Sequence, residues 1–130
     1  MKEYKIWLAK LLTIVVIVMV VVPVIGGAAS AVKGVLGPKV AVVELGGVIN
    51  ESNEVLKALY EEARDKDTKA IVLRVDSPGG AVAPSEEIYN AVRRLKSEKP
   101  IVVSMGSMAA SGGLYSSLGA SKIFCQPGTQ

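Results

Sequence analysis

The apolar pattern of this chain is one long run followed by shorter runs that alternate with amphipathic stretches. From Leu11 to Val22 only Thr13 is not frankly apolar, and the run continues through residues 23–29. No polar face of period 3.6 interrupts Ile14 to Val22. Valine and isoleucine are mediocre helix formers in water, which argues against a buried soluble helix. Beyond Pro38 the pattern changes. Val40 to Leu45 reads as a buried strand, and Gly46-Gly47 as a bend or bulge. Asn50 to Asn53 carries cap-type residues. Val55, Leu56, Leu59, Tyr60 and Ala63 then make one apolar helical face. Glu62 and Lys66 form an i,i+4 pair on the polar side, and Glu61 to Lys69 is a solvated helix end. Ala70 to Val75 is a second strand. Ser85 caps a second helix that buries Ile88, Val92 and Leu95. Pro100 precedes a third strand, Ile101 to Met105. Gly112 to Ala120 reads as a short helix and Lys122 to Cys125 as a fourth strand. This alternation predicts an α/β fold built from parallel β-α-β crossovers, right-handed by the usual rule.

The long run is about the length needed to cross a bilayer core of ~30 Å as a helix. Lys2, Lys5 and Lys10 precede it, and Tyr4 and Trp7 suit the headgroup level. The positive-inside rule leaves the N-terminus in the cytosol. Ala29-Ser30-Ala31 also has the small-x-small pattern of a signal-peptide cleavage site. Anchor and cleaved signal both export the residues after about Val32. The expected organisation is a cytosolic segment at 1–10, an anchor or signal sequence at 11–31, a linker at 32–39 and one small domain at 40–130.

The net charge of +3 owes much to the three lysines before the apolar run. No basic stripe interleaved with aromatics follows, so nucleic-acid binding has little support. Cys125 is the only cysteine, and there is no histidine. An intrachain disulfide is therefore impossible, and neither a transition-metal site nor a cofactor is expected. Cys125 itself is expected to be a small buried hydrophobe.

Two glycine-bearing corners carry the candidate chemistry. In Asp76-Ser77-Pro78-Gly79-Gly80, Pro78 and Gly79 suit the central positions of a type II turn, with φ > 0 at Gly79. Gly80 leaves its amide open to approach. That geometry fits an oxyanion hole, worth roughly 3–4 kcal/mol per donor in enzymes. A plain tight turn satisfies the same string. In Met105 to Gly113, Ser111 at a strand-to-helix corner is either an N-cap or a nucleophile. The amide of Gly112 would lie at a helix N-terminus, where the dipole favours an anion. Without histidine, a nucleophilic Ser111 needs a base other than imidazole. Both corners follow consecutive strands of one parallel sheet, and ligands in such sheets bind beyond the carboxyl ends of the strands.

Together, Leu73 to Gly80, Gly106 to Gly113 and Ala120-Ser121-Lys122-Ile123 resemble signal peptide peptidases of the SppA (protease IV) type. These are membrane-anchored serine proteases with a ClpP/crotonase-like fold. The resemblance runs from about Val40 to the end. It implies that Ser111 is the nucleophile and that Gly80 and Gly112 are oxyanion-hole amides. Gly79, Ala81, Val82 and Ala83 would bind substrate, with 81–83 where a peptide adds as an extended strand. It also implies remnant signal peptides and other hydrophobic peptides as substrates. The chain would sit in the cell membrane as a single-pass homo-oligomer, its peptidase domain on the extracytoplasmic side. Family members use a lysine base whose usual position lies past Gln130. Lys96, Lys99 and Lys122 are expected to be structural or solvated. The resemblance thus covers the N-terminal portion of such an enzyme. The chain as it stands is expected to turn over little and to leave a sheet edge uncovered. Three other readings share parts of this pattern. They are a membrane-bound ClpP-class protease of the NfeD-associated type, a non-catalytic membrane-tethered peptide-binding scaffold and, more distantly, a crotonase-type acyl-CoA enzyme.

Overall fold

The computed structural model describes residues 10–19 and 37–130. Residues 10–19 are helical. Among the described residues no helix is long and apolar enough to cross a membrane. The remainder of the expected span, residues 20–31, lies outside the described residues.

From Pro38 the chain forms one compact unit. Its elements are β1 (Lys39–Ile49), α1 (Asn53–Arg64), β2 (Thr68–Gly80), α2 (Val82–Leu95), β3 (Ile101–Ala109), α3 (Gly112–Ser117) and β4 (Lys122–Phe124). The four strands are parallel and lie in sequence order, β1-β2-β3-β4. Each crossover steps in the same direction across the sheet. Right-handed crossovers that never reverse direction put every helix on one face.

Burial follows from that topology. Ala41, Val43 and Leu45 of β1, Ile71, Leu73 and Val75 of β2, and Ile101, Val103 and Met105 of β3 are buried. All of these but Ala41 share one core with Leu59 and Ala63 of α1 and Ile88, Ala91, Val92 and Leu95 of α2. The alternate residues face away from the helices. Val40 and Val42 are 59% and 63% exposed. The β-branched runs are therefore half-buried strands, with one face covered, instead of the fully buried strands the sequence predicted.

Four local departures from the sequence reading have physical causes. First, β2 continues through Ser77 to Gly80, and β3 through Ala109. Bulges permit this: the β1–β2 register slips between Gly46 and Val48, which face Asp76 and Gly79. Second, α2 starts at Val82, so Ser85 lies in its first turn. There the Ser85 hydroxyl donates to the Ala81 carbonyl (2.8 Å) instead of capping the helix. Third, α3 ends at Ser117. Fourth, β4 has only three residues, all exposed, and Cys125 just beyond it is exposed too. At this outer edge of the sheet Cys125 is not the buried hydrophobe expected.

The start of β1 is tied to the end of α1 by Lys39, whose Nζ lies 3.2 Å from Glu62 and 3.0 Å from Asp65. Lys39 is raised above its ordinary pKa, first by Asp65 and then by Glu62. Asp65 is lowered chiefly by Lys39, with help from the Asp67 amide. Glu62 is lowered chiefly by the hydrogen bond from Thr68 Oγ1, against partial desolvation, with Lys39 contributing. A lowered carboxylate stabilises the fold above its unfolded pKa and loses that contribution as pH falls through the folded value. Raised Lys39 contributes below the unfolded lysine value and loses its share as pH rises through the folded one. Urea unfolding at neutral and acid pH is thus expected to show a smaller acid loss of stability in Lys39→Met than in the wild type. Equal losses would contradict the linkage.

Candidate active site

The bulged ends of β2 and β3 meet at the carboxyl edge of the sheet. On β2, Gly79 has φ +93°, the positive value expected at that position. A Cβ there would stand 2.6 Å from the Gly112 nitrogen, 2.7 Å from Ser111 Cβ and 2.9 Å from the Ala110 oxygen. Only glycine allows the two corners to close to this distance. Gly79 is buried by that contact. Gly79 packs the two corners together and is not among the residues that line the cavity between them.

Gly80 is placed by strand pairing. It stands opposite Ile49 of β1, whose carbonyl accepts from the next amide, Ala81 N–H, at 2.7 Å. Successive N–H groups of extended backbone point to opposite edges. The Gly80 N–H therefore turns away from β1, toward the Ser111 corner. Its nitrogen is 3.4 Å from where a Cβ on Gly112 would be.

Ser111 follows β3 and stands at the N-cap position of α3, yet its side chain makes no cap hydrogen bond. Its backbone sits at φ 48°, ψ −119°, the one positive φ at a non-glycine among the described residues. A serine forced into a sharp strand-to-helix turn, hydroxyl outward, is the geometry of a nucleophile elbow. Such strain costs on the order of 1–3 kcal/mol and persists only where surrounding structure enforces it. Ser111→Gly is accordingly expected to raise stability by about 1 kcal/mol, roughly 4–8 °C in Tm for a domain this size. Thermal unfolding checks this, and an unchanged or lowered Tm would contradict the strain.

Ser111, Gly80 and Gly112 line one cavity of about 200 Å³ together with Val82, Ser85 and Tyr115. No charged side chain lines it. Of the expected substrate-binding backbone, Ala81 is extended (φ −62°, ψ 140°), whereas Val82 and Ala83 belong to the first turn of α2. The helix begins three residues before Ser85, so of residues 81–83 only Ala81 offers extended backbone beside which a peptide could add. The Gly112 amide is adjacent to the cavity, but α3 has only six residues. Its dipole is correspondingly small, and any anion stabilisation there comes from the amide itself.

The lysines considered from sequence lie elsewhere. Lys99 donates to the Glu62 carbonyl (2.9 Å) and to the Asp65 carbonyl, closing the end of α1. Lys96 reaches the Ala120 carbonyl at 3.5 Å. Lys122 is exposed on β4. Among the described residues, none lines the cavity.

Sequence reasoning missed three supporting residues. Ser77 is fully buried, and its hydroxyl donates to the Gly47 carbonyl of β1 while accepting from the Gly79 amide of its own strand. Asp76 Oδ1 accepts from the Met108 amide at 2.9 Å, holding the bulge that leads to Ser111. Tyr115 packs on Tyr89 with ring centroids 4.9 Å apart and closes one wall. Ser77 and Asp76 sit inside a string already singled out. Their partners Gly47 and Met108, however, are 30 or more positions away, and no spacing rule reveals them.

Residues 93–130 match the model of Peptidase family S49. Protease 4 of Haemophilus influenzae is 41% identical over 101 residues, covering 70% of this chain and 16% of that protein. The chloroplastic serine protease SPPA of Arabidopsis thaliana is 31% identical over 102 residues, covering 78% of this chain and 14% of that protein. The chain spans a third or less of the length of these curated relatives. Among solved structures, a ClpP1 mutant from Listeria monocytogenes superposes with a TM-score of 0.60 at 25% identity, covering 68% of this chain and 52% of that one. A membrane-bound stomatin-specific protease mutant gives 0.59 at 24% identity, over 72% of this chain and 46% of that one, and shows the shared fold. The chain is thus similar to SppA (protease IV) type serine peptidases, matches the family S49 model over residues 93–130, and has a ClpP-like α/β fold.

Proposed function

We propose that this chain carries the nucleophile and oxyanion hole of a membrane-anchored serine endopeptidase that degrades hydrophobic peptides, remnant signal peptides among them. Residues 11–31 are the anchor, with the N-terminus cytosolic and the domain on the extracytoplasmic side. The observation that carries the reading is that Ser111, Gly80 and Gly112 line one cavity with no charged side chain. Ser111 Oγ attacks the scissile carbonyl as its proton passes to a base. The carbonyl oxygen becomes an oxyanion held by the Gly80 and Gly112 amides. The C–N bond then breaks, the amine leaves with the proton, and water hydrolyses the acyl-Ser111 ester.

In this reading the base is a lysine, as in the SppA type. The cavity lining supplies none among the described residues, so the amine comes from outside residues 37–130 or from a neighbouring copy. Homo-oligomerisation fits the two open sheet edges at β1 and β4. An uncharged cavity of this size suits small and aliphatic side chains and disfavours charged ones.

The test reconstitutes the intact protein in phospholipid vesicles with a synthetic signal-peptide remnant and follows fragments by mass spectrometry. Cleavage by the wild type and none by Ser111→Ala supports the reading. Equal cleavage by both removes Ser111 as nucleophile. Peptide retention without cleavage by either supports a non-catalytic scaffold instead.

A further inference from the structure

We infer that Ser77 is the positioning residue of this site, its buried hydroxyl aiming the Gly80 amide while its carbonyl locates Ser111. The inference rests on the site reading above and adds a residue that touches neither substrate nor the reacting atoms.

Ser77 is 0% exposed. Its single hydroxyl proton is committed to the Gly47 carbonyl on β1, at 2.6 Å. The proton's direction then leaves the oxygen's lone pairs for the Gly79 amide, which donates to Ser77 Oγ at 3.0 Å. Both partners are bulge glycines with positive φ, Gly47 at 66° and Gly79 at 93°. One oxygen therefore locks the two irregular segments to each other, where ladder pairing between β1 and β2 slips.

Gly80 lies between this lock and a second one, the Ala81 N–H on the Ile49 carbonyl. With the Gly79 N–H held by Ser77 Oγ, itself tied to β1 through Gly47, and the Ala81 N–H held by Ile49 of β1, the intervening Gly80 N–H has one remaining direction, outward to the cavity. The Ser77 carbonyl completes the arrangement by accepting from Ala110 N–H at 3.0 Å, one residue before Ser111. Gly113 is packed on the same carbonyl: a Cβ there would be 2.9 Å from it. Donor and nucleophile are thus both referenced to one residue. Alanine at 77 keeps the carbonyl bond and loses the lock, so it disturbs the oxyanion donor while leaving the placement of Ser111.

The test uses the intact protein and two readouts. The first is the rate at which a fluorophosphonate labels Ser111, which needs the oxyanion donor. The second is the affinity for an uncleaved hydrophobic peptide, read in a Ser111→Ala background with and without Ser77→Ala. Loss of oxyanion alignment is expected to slow labelling about 10- to 100-fold. Peptide affinity is expected to change by less than about threefold, because ground-state binding does not use that donor. Ser77→Cys, of similar shape but with a weak donor and acceptor, is expected to fall between wild type and alanine. It carries the comparison if Ser77→Ala fails to fold. Labelling within threefold of wild type, or affinity falling in parallel with labelling, overturns the assignment. An unlabelled wild type overturns the Ser111 reading itself, whereas a labelled wild type with equally labelled Ser77 variants overturns only the role of Ser77.

Discussion

Ser111→Ala is expected to lower peptide hydrolysis by about 10⁴-fold or more, because the other serine lining the cavity, Ser85, has its hydroxyl committed to the Ala81 carbonyl. The residual rate belongs to binding and to the oxyanion donors. Stability is expected to stay within about 0.5 kcal/mol of wild type, as for surface substitutions that break no named feature. The structural reasons are local. Ser111 is exposed, and its hydroxyl makes no cap bond that alanine would forfeit. Alanine also inherits the same positive φ, so the strain is carried over, unlike in Ser111→Gly. Activity and stability should therefore separate cleanly, and urea unfolding beside a peptidase assay measures both. A severe stability loss in Ser111→Ala would mean that the hydroxyl is structural.

Gly80→Ala is expected to damage both properties. A Cβ at this position would lie 2.2 Å from the Ile49 oxygen and 2.7 Å from the Ile49 carbon and nitrogen. Those are backbone atoms of the neighbouring strand, with no flexible end to swing aside. Relief requires β1 and β2 to part at the catalytic end of the sheet. Overpacking of this kind costs about 2–3 kcal/mol, or roughly 10–20 °C in Tm for a domain of this size. The same shift turns the Gly80 N–H away from the cavity, for an expected further loss of about 10²–10³ in kcat. Gly46→Ala is the matched control, since a Cβ there meets nothing within 4 Å. It is expected to change stability by no more than about 0.5 kcal/mol. A Gly80→Ala protein with wild-type kcat would remove that amide from the mechanism.

The parallel crossovers and the approach of the two corners were legible because both depend on periodicity and chain direction. Apolar runs such as Ile71 to Val75, separated by amphipathic helices, leave parallel crossovers as the economical arrangement. The positive φ of Gly79 was legible because Pro78 and Gly79 have narrow conformational menus. The extent of β2 was not. Proline and paired glycines are normally depleted in strands, and only the bulge at Gly47, remote in sequence, lets the ladder resume at Gly79 and Gly80. The early start of α2 escaped for a related reason. Ser85 has the residue type of a cap, but its hydroxyl serves the Ala81 carbonyl, and Pro84 fits a first helical turn as readily as a boundary. Exposure of Val40 and Val42 followed from topology alone, since apolar content cannot report which face the helices cover. The strain at Ser111 left no compositional trace, because a serine between alanine and glycine is equally ordinary in a relaxed cap.

The most direct measurement is the position of a covalent phosphonate on the intact protein. A peptidyl phosphonate adduct solved crystallographically should show phosphorus bonded to Ser111 Oγ, with a phosphoryl oxygen about 2.7–3.1 Å from the Gly80 nitrogen. An adduct on a different serine, or a phosphoryl oxygen pointing away from both Gly80 and Gly112, would contradict the account.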